Sequence, residues 1–395
     1  MSEANDPMTS TEEPKPNRVR RFFKRLSVLL LVLLSFELVG RVVAFAWNGF
    51  DEHYLLYGFE GLAGRVGISP WQVYDGSHFK FPPNYELEGA AGQGHETATT
   101  NALGFRGPDF APQKPDDTFR IVCLGGSSTF GYHNNDDETY PHYLQGLLEE
   151  EYERIEVVNA GFPYYNTGSI RSLLEAEVWS YEPDLITLYS AYNDACWPLK
   201  VQKPVRWIFW LQEHSVLYLG LKNTILSDQR IYWIKNKLHS RSKQTVDPQA
   251  VLSNAEGVAR RYRANVEAIA DGAAQREIPF VLVRQPITTR SKLEEVQKMS
   301  YEDEAAYVLD RLHKGEFLWN FDYYMIRHRR LIEEVDTLAA ERSLPVVDNI
   351  ELVDRDRTRL TTWVHLSAEA NRELAEALRE RLRELLPEGY RKQKG

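Results

Sequence analysis

The chain is expected to fold as a three-layer α/β/α domain around a doubly wound parallel sheet. Three observations predict this. Short apolar runs recur along residues 118–388, and runs such as Ile278-Pro-Phe-Val-Leu-Val283 are continuously apolar, as strands buried on both faces are. Segments of helical length separate them, and alternation of strand and helix signals implies parallel strands with helices on both faces. Finally, several of the runs end in Gly or Asn, at the sheet edge where open α/β folds hold ligands.

Strands are expected at 120–125, 155–159, 183–190, 278–284 and 344–348, and helices near 139–152, 168–180, 252–276, 322–342 and 368–386. The last helix opens with Ser367 as a cap and Glu369 in its first turn, both favourable at a helix N-terminus. His95-Glu-Thr-Ala-Thr-Thr-Asn101 reads as a short strand within an aromatic strap, 48–117, lying on the core. An insertion at about 197–250, rich in Trp and Tyr with interleaved Lys and Arg, is expected to fold as a helical cap over the site. A second irregular piece, 288–321, is expected to join it.

The N-terminus reads separately. Residues 1–25 form a polar, then basic, tail. Residues 26–47 are mostly apolar, and 22 residues at 1.5 Å per residue cross a hydrocarbon core of ~30 Å. The basic flank (Arg18, Arg20, Arg21, Lys24, Arg25) predicts a cytoplasmic N-terminus and a catalytic region on the far side of the inner membrane, in the periplasm of a Gram-negative cell. Cleavage after Ala44-Phe45-Ala46 is the alternative. Glu37 and Arg41 fall at i,i+4 within the run and can neutralise each other, or mark a helix–helix contact.

A net charge of −10 argues against nucleic acid as a partner, because phosphate binding needs clustered Lys and Arg. No Cys/His cluster has metal-ligand spacing, and no cofactor is expected. Cys123 and Cys196 are expected as buried thiols, with a bridge between neighbouring strands left open.

Four strand-end segments carry the chemistry. Ile121-Val-Cys-Leu-Gly-Gly-Ser-Ser-Thr-Phe-Gly131 places Ser127 on a tight turn after a buried strand. Val157-Val-Asn-Ala-Gly-Phe-Pro163 offers the Gly161 N–H, and Asp184-Leu-Ile-Thr-Leu-Tyr-Ser-Ala-Tyr-Asn-Asp194 offers the Asn193 amide. Trp363-Val-His-Leu-Ser367 offers His365. Nucleophilic acyl transfer needs this set: a hydroxyl, a base for its proton, and donors for the oxyanion. Arg106, in Gly104-Phe-Arg-Gly107, is open to two roles, reaching an anionic substrate group or serving the structure as an ion pair or a carbonyl cap.

In these segments the chain resembles the SGNH (GDSL-type) hydrolases, lipase-like esterases with a flavodoxin-like α/β/α fold. The resemblance runs from roughly Asp117 to Leu386. It rests on Leu124-Gly-Gly-Ser-Ser-Thr129, Asn159-Ala-Gly161, Tyr192-Asn-Asp194 and Val364-His-Leu-Ser367. It implies Ser127 as nucleophile, Gly161 and Asn193 as oxyanion donors and His365 as base. Thr100-Asn-Ala-Leu-Gly-Phe-Arg-Gly-Pro108 and Asp136-Asp-Glu-Thr-Tyr-Pro141 are similar to a membrane-anchored bacterial branch.

One position departs. The family pattern has Asp three residues before the His, and this chain has Thr362. Three readings follow: a Ser127–His365 dyad; a carboxylate supplied by Asp354, Asp356 or Asp194; or a site that binds without turnover. Ala370 also replaces a Gly of the pattern, in a helix start. The expected activity is hydrolysis of O-acyl or O-acetyl esters of a small molecule or carbohydrate by an enzyme anchored in the bilayer. The alternatives are O-acyl transfer to an exported polysaccharide and a silent carbohydrate-binding or scaffold protein.

Overall fold

The computed structural model describes residues 18–47, 72–74, 78–88, 97–196, 215, 217, 247–289, 298–316 and 318–392. They fall in two compact units, one comprising Met1–Gly61 with Arg206–Tyr232 and the other Leu62–Val205 with Trp233–Gly395.

In the smaller unit, α1 (Arg18–Trp47) is one continuous helix. Its stretch Arg20–Val43 is long and apolar enough to cross a membrane. The Glu37–Arg41 pair forms as the spacing predicts, at 3.0 Å. Glu37 also accepts hydrogen bonds from the Ser215 hydroxyl, 2.8 Å, and the Leu217 N–H, 2.9 Å.

The larger unit is the expected α/β/α fold. Strands β5 (Phe119–Gly125), β6 (Ile155–Gly161), β7 (Leu185–Tyr189), β8 (Phe280–Arg284) and β9 (Val346–Asp348) form one parallel sheet in the order β6-β5-β7-β8-β9. Alternation along β5 explains the two layers. Val122 and Leu124 pack on one face with α4 (Thr167–Ala176), α6 (Pro248–Ala274), α7 (Tyr301–His313) and α8 (Asn320–Arg342). Ile121 and Cys123 pack on the other with α3 (Tyr140–Glu149) and α10 (Ala368–Leu382). The order reverses at β5, so the ends of β5, β6 and β7 open onto one crevice, the place where such sheets hold ligands. Two short helices follow those strand ends, α2 (Ser127–Phe130) after β5 and α5 (Tyr192–Cys196) after β7. A third, α9 (Asn349–Asp354), follows β9.

The strap supplies two antiparallel pairs, β1 (Gln72–Tyr74) with β2 (His78–Lys80) and β3 (Glu86–Glu88) with β4 (Thr97–Thr99). Arg106 bridges to Asn159 on the edge strand β6.

Residues 301–313 differ from expectation. They form α7, whose Tyr301, Ala305, Val308 and Leu312 are buried in the main core, so this stretch is core rather than cap. Of the expected cap, only Ser215, Leu217 and 247–250 lie within the described residues. Cys123 and Cys196 are both buried and free.

Candidate active site

The nucleophile turn is fixed by close backbone approach. A Cβ on Gly126 would stand 2.8 Å from Asn193 Nδ2 and 3.1 Å from the Tyr165 carbonyl, and one on Gly161 would collide with the Phe130 N. Only glycine lets the end of β6 lie this close to α2. Ser127 therefore sits at the first position of α2, partly exposed at the carboxyl edge of the sheet.

His365 arrives from the loop between α9 and α10. Its Nε2 lies 2.8 Å from Ser127 Oγ, and its Nδ1 lies 2.8 Å from Thr362 Oγ1. The first distance suits proton transfer from the hydroxyl. The second shows what replaces the usual carboxylate. Thr362 Oγ1 also accepts the His365 N–H at 3.1 Å and the Val364 N–H at 3.4 Å, so it anchors the loop as well as the ring. A carboxylate only accepts and selects the Nδ1–H tautomer, which leaves Nε2 free as a base. A hydroxyl both donates and accepts, so it serves either tautomer.

The candidate carboxylates are engaged elsewhere. Asp354 accepts the Tyr301 N–H, Asp356 caps Thr358, and Asp194 accepts the Thr167 N–H and hydroxyl. With no acid bonded to it among the described residues, His365 is pushed down to about 3, first by burial and then by the nearby His133.

The oxyanion-donor candidates converge beside Ser127. Asn193 Nδ2 donates to the Tyr165 carbonyl at 2.8 Å, which locks the amide; an amide nitrogen carries a second hydrogen. The Gly161 N–H donates to Asn159 Oδ1 at 3.0 Å, so an oxyanion must compete for it.

Arg106 is a structural clamp. It is buried, and its guanidinium donates to the carbonyls of Phe130 and Gly131 (2.8 Å each) and Asn134 (2.7 Å) while pairing with Asp136 at 2.7 Å. The structural role, as ion pair and carbonyl cap together, is the one it fills.

Three features escaped the sequence reading. Gln285, one residue past β8, accepts the Ala191 and Tyr192 N–H groups (2.7 and 2.8 Å) and donates to Ser128 Oγ at 3.0 Å; Ser128 in turn donates to the Val364 carbonyl at 3.2 Å. One amide thus ties the Asn193 turn, the nucleophile helix and the histidine loop together. The Tyr132 and His133 rings stand 5.3 and 5.1 Å from His365, with His133 at φ 73°. Trp363, 39% exposed, stacks on Phe321 at 4.3 Å, two residues before His365. A run of apolar residues gives no sign of Gln285, whereas the aromatics adjoining Gly131 and His365 carried a signal in their position.

A serine bonded to a histidine at the carboxyl edge of a parallel sheet, beside an asparagine amide, is the arrangement that acyl transfer by a serine nucleophile needs. The chain belongs to the GDSL-like lipase/acylhydrolase family, whose model matches residues 123–373. Among curated proteins none matches. Solved structures to which the chain is similar include a lipolytic protein of the G-D-S-L family from Desulfitobacterium hafniense (15% identity, 67% of this chain and 100% of that one, TM-score 0.38). A lipase/acylhydrolase from Enterococcus faecalis is 15% identical over 70% of this chain and 100% of its own, TM-score 0.37. A carbohydrate acetylesterase family member from Sinorhizobium meliloti is 14% identical over 68% and 99%, TM-score 0.37.

Proposed function

We propose that the chain is a serine esterase, anchored by α1 in the inner membrane with residues 118–388 outside the cytoplasm, that cleaves O-acyl esters. The observation that carries this reading is the 2.8 Å bond between Ser127 Oγ and His365 Nε2. Ser127 Oγ attacks the ester carbonyl carbon as its proton passes to His365 Nε2. The Ser127 and Gly161 N–H groups and the Asn193 amide receive the oxyanion. Collapse expels the alcohol, which takes the proton from His365 and leaves an acyl-Ser127. A water then gives its proton to His365 and attacks the acyl group; collapse breaks the acyl–Oγ bond, returns that proton to Ser127 Oγ and frees the acid. If a sugar hydroxyl replaces that water, the same parts perform transfer. Trp363, two residues before His365 in the chain and 39% exposed while stacked on Phe321, offers apolar surface suited to the flat ring face of a carbohydrate alcohol. A binding protein without turnover has no use for the Ser127–His365 bond. The test is a fluorophosphonate probe on the full chain. One adduct mapped to Ser127 is expected, and reaction elsewhere, or equal labelling of Ser127→Ala, would overturn the assignment.

A further inference from the structure

Most of α1 is bare: Phe36, Leu38, Val39 and Val43 are each more than half exposed. Glu37, Gly40, Arg41 and Phe45 are partly covered. Their spacing, i, i+3, i+4 and i+8, makes one stripe along the helix. At its head both carboxylate oxygens of Glu37 are engaged. Oε1 takes the Arg41 guanidinium at 3.0 Å, and Oε2 takes the Ser215 hydroxyl at 2.8 Å and the Leu217 N–H at 2.9 Å. Arg41 alone was enough to neutralise the charge; the two further donors come from the insertion, which groups with α1 as one compact unit.

Depth follows from the helix. Glu37 lies twelve residues beyond Arg25. That is about 18 Å along a helix rising 1.5 Å per residue, so in a ~30 Å core it stands roughly 12 Å short of the far boundary. Chain bonded to Glu37 stands at that depth too. Trp207-Ile-Phe-Trp-Leu211 and Val216-Leu-Tyr-Leu-Gly-Leu221 give the insertion the apolar side chains that lipid accepts. Backbone at membrane depth needs its polar groups satisfied by protein, and Glu37 satisfies one of them.

We propose that the chain at Ser215 and Leu217 is a second membrane contact, entering the outer half of the bilayer against α1, with Glu37 as its receptor. This rests on the anchor reading, which resistance to alkaline extraction tests separately. The experiment uses the full chain in membrane fragments open on both sides. Leu217→Cys keeps both donors to Glu37, and Glu351→Cys, on an exposed side chain, is the control. Native Cys123 and Cys196 are buried. With a bilayer-impermeant maleimide, Leu217→Cys should label at least tenfold more slowly than Glu351→Cys, and detergent should abolish the difference. Adding Glu37→Ala should speed Leu217→Cys labelling severalfold, whereas Glu37→Gln, which keeps the acceptor, should not. A chain retained at alkaline pH in which Leu217→Cys labels as fast as the control, or is indifferent to Glu37→Ala, would sink the docking and spare the anchor. A chain that extracts would sink both.

Discussion

Residues 125–134 and residues 360–367 meet at the Ser127–His365 hydrogen bond, and they are held in place by different means. Glycines without room for a Cβ and the buried Arg106 guanidinium hold the first. Neutral bonds hold the second: Thr361 N–H to the His365 carbonyl at 2.9 Å, Ser367 N–H to the Arg359 carbonyl at 2.8 Å, and the Thr362 hydroxyl. Ser128 and Asn134 tie the two loops through the Val364 and Leu366 carbonyls. Both loops are therefore well placed, but only one has a charge within bonding distance. Thr362 bonds the imidazole but brings no negative charge to balance its cation. The deficit falls on the rate, leaving the fold intact.

The largest expected effect breaks the comparison outright. His365→Ala should lower ester hydrolysis by roughly 10³–10⁵, because the Ser127 proton loses its acceptor. Near-wild-type rates would move the base elsewhere. Thr362→Asp makes the two sides alike and should raise kcat roughly tenfold to a hundredfold, since an acid at this position selects the productive tautomer and stabilises imidazolium. It should also shift the pH profile. His365, held near 3, stays a free but weak base into acid, so the wild-type acid limb should lie far below pH 6. A carboxylate raises the imidazole pKa, and the limb should move to higher pH. An unchanged limb would mean that the new acid does not reach Nδ1.

Gln285→Ala should lower kcat about tenfold with little change in KM, because it loosens three loops without touching substrate. Rescue by Gln285→Glu, which keeps only the acceptor, should be partial. The smallest effect concerns stability. Burial raises Asp194 from 3.8 to about 6, against the opposing bonds from Thr167. A raised folded-state value gives stability that is full below pH 3.8 and lost as pH rises through about 6, of order 3 kcal/mol. Melting temperature should fall over that window relative to Asp194→Asn, and parallel profiles would contradict the account.

Much of this was legible in the sequence, for physical reasons. All five strands were, because strands covered on both faces are continuously apolar. Ser127, Gly161 and Asn193 stood out as candidates because each ends or follows a strand on the same sheet edge, and His365 because it lies just ahead of the Ser367-capped helix α10. Helix α7 was missed although Tyr301, Ala305, Val308 and Leu312 fall at helical spacing behind Ser300 as cap; its many charges hid a narrow apolar stripe. Gln285 was missed because its three partners come from two distant segments, and only the folded sheet brings them together. That Thr362 meets Nδ1, with Asp354, Asp356 and Asp194 all engaged elsewhere, likewise needed the tertiary structure.

The central claim is that Ser127 and His365 turn over esters without a carboxylate. The most direct test is p-nitrophenyl acetate hydrolysis by the full chain beside its Ser127→Ala variant. The account predicts turnover that vanishes in the variant while its melting temperature holds. Equal rates in the two proteins would contradict it.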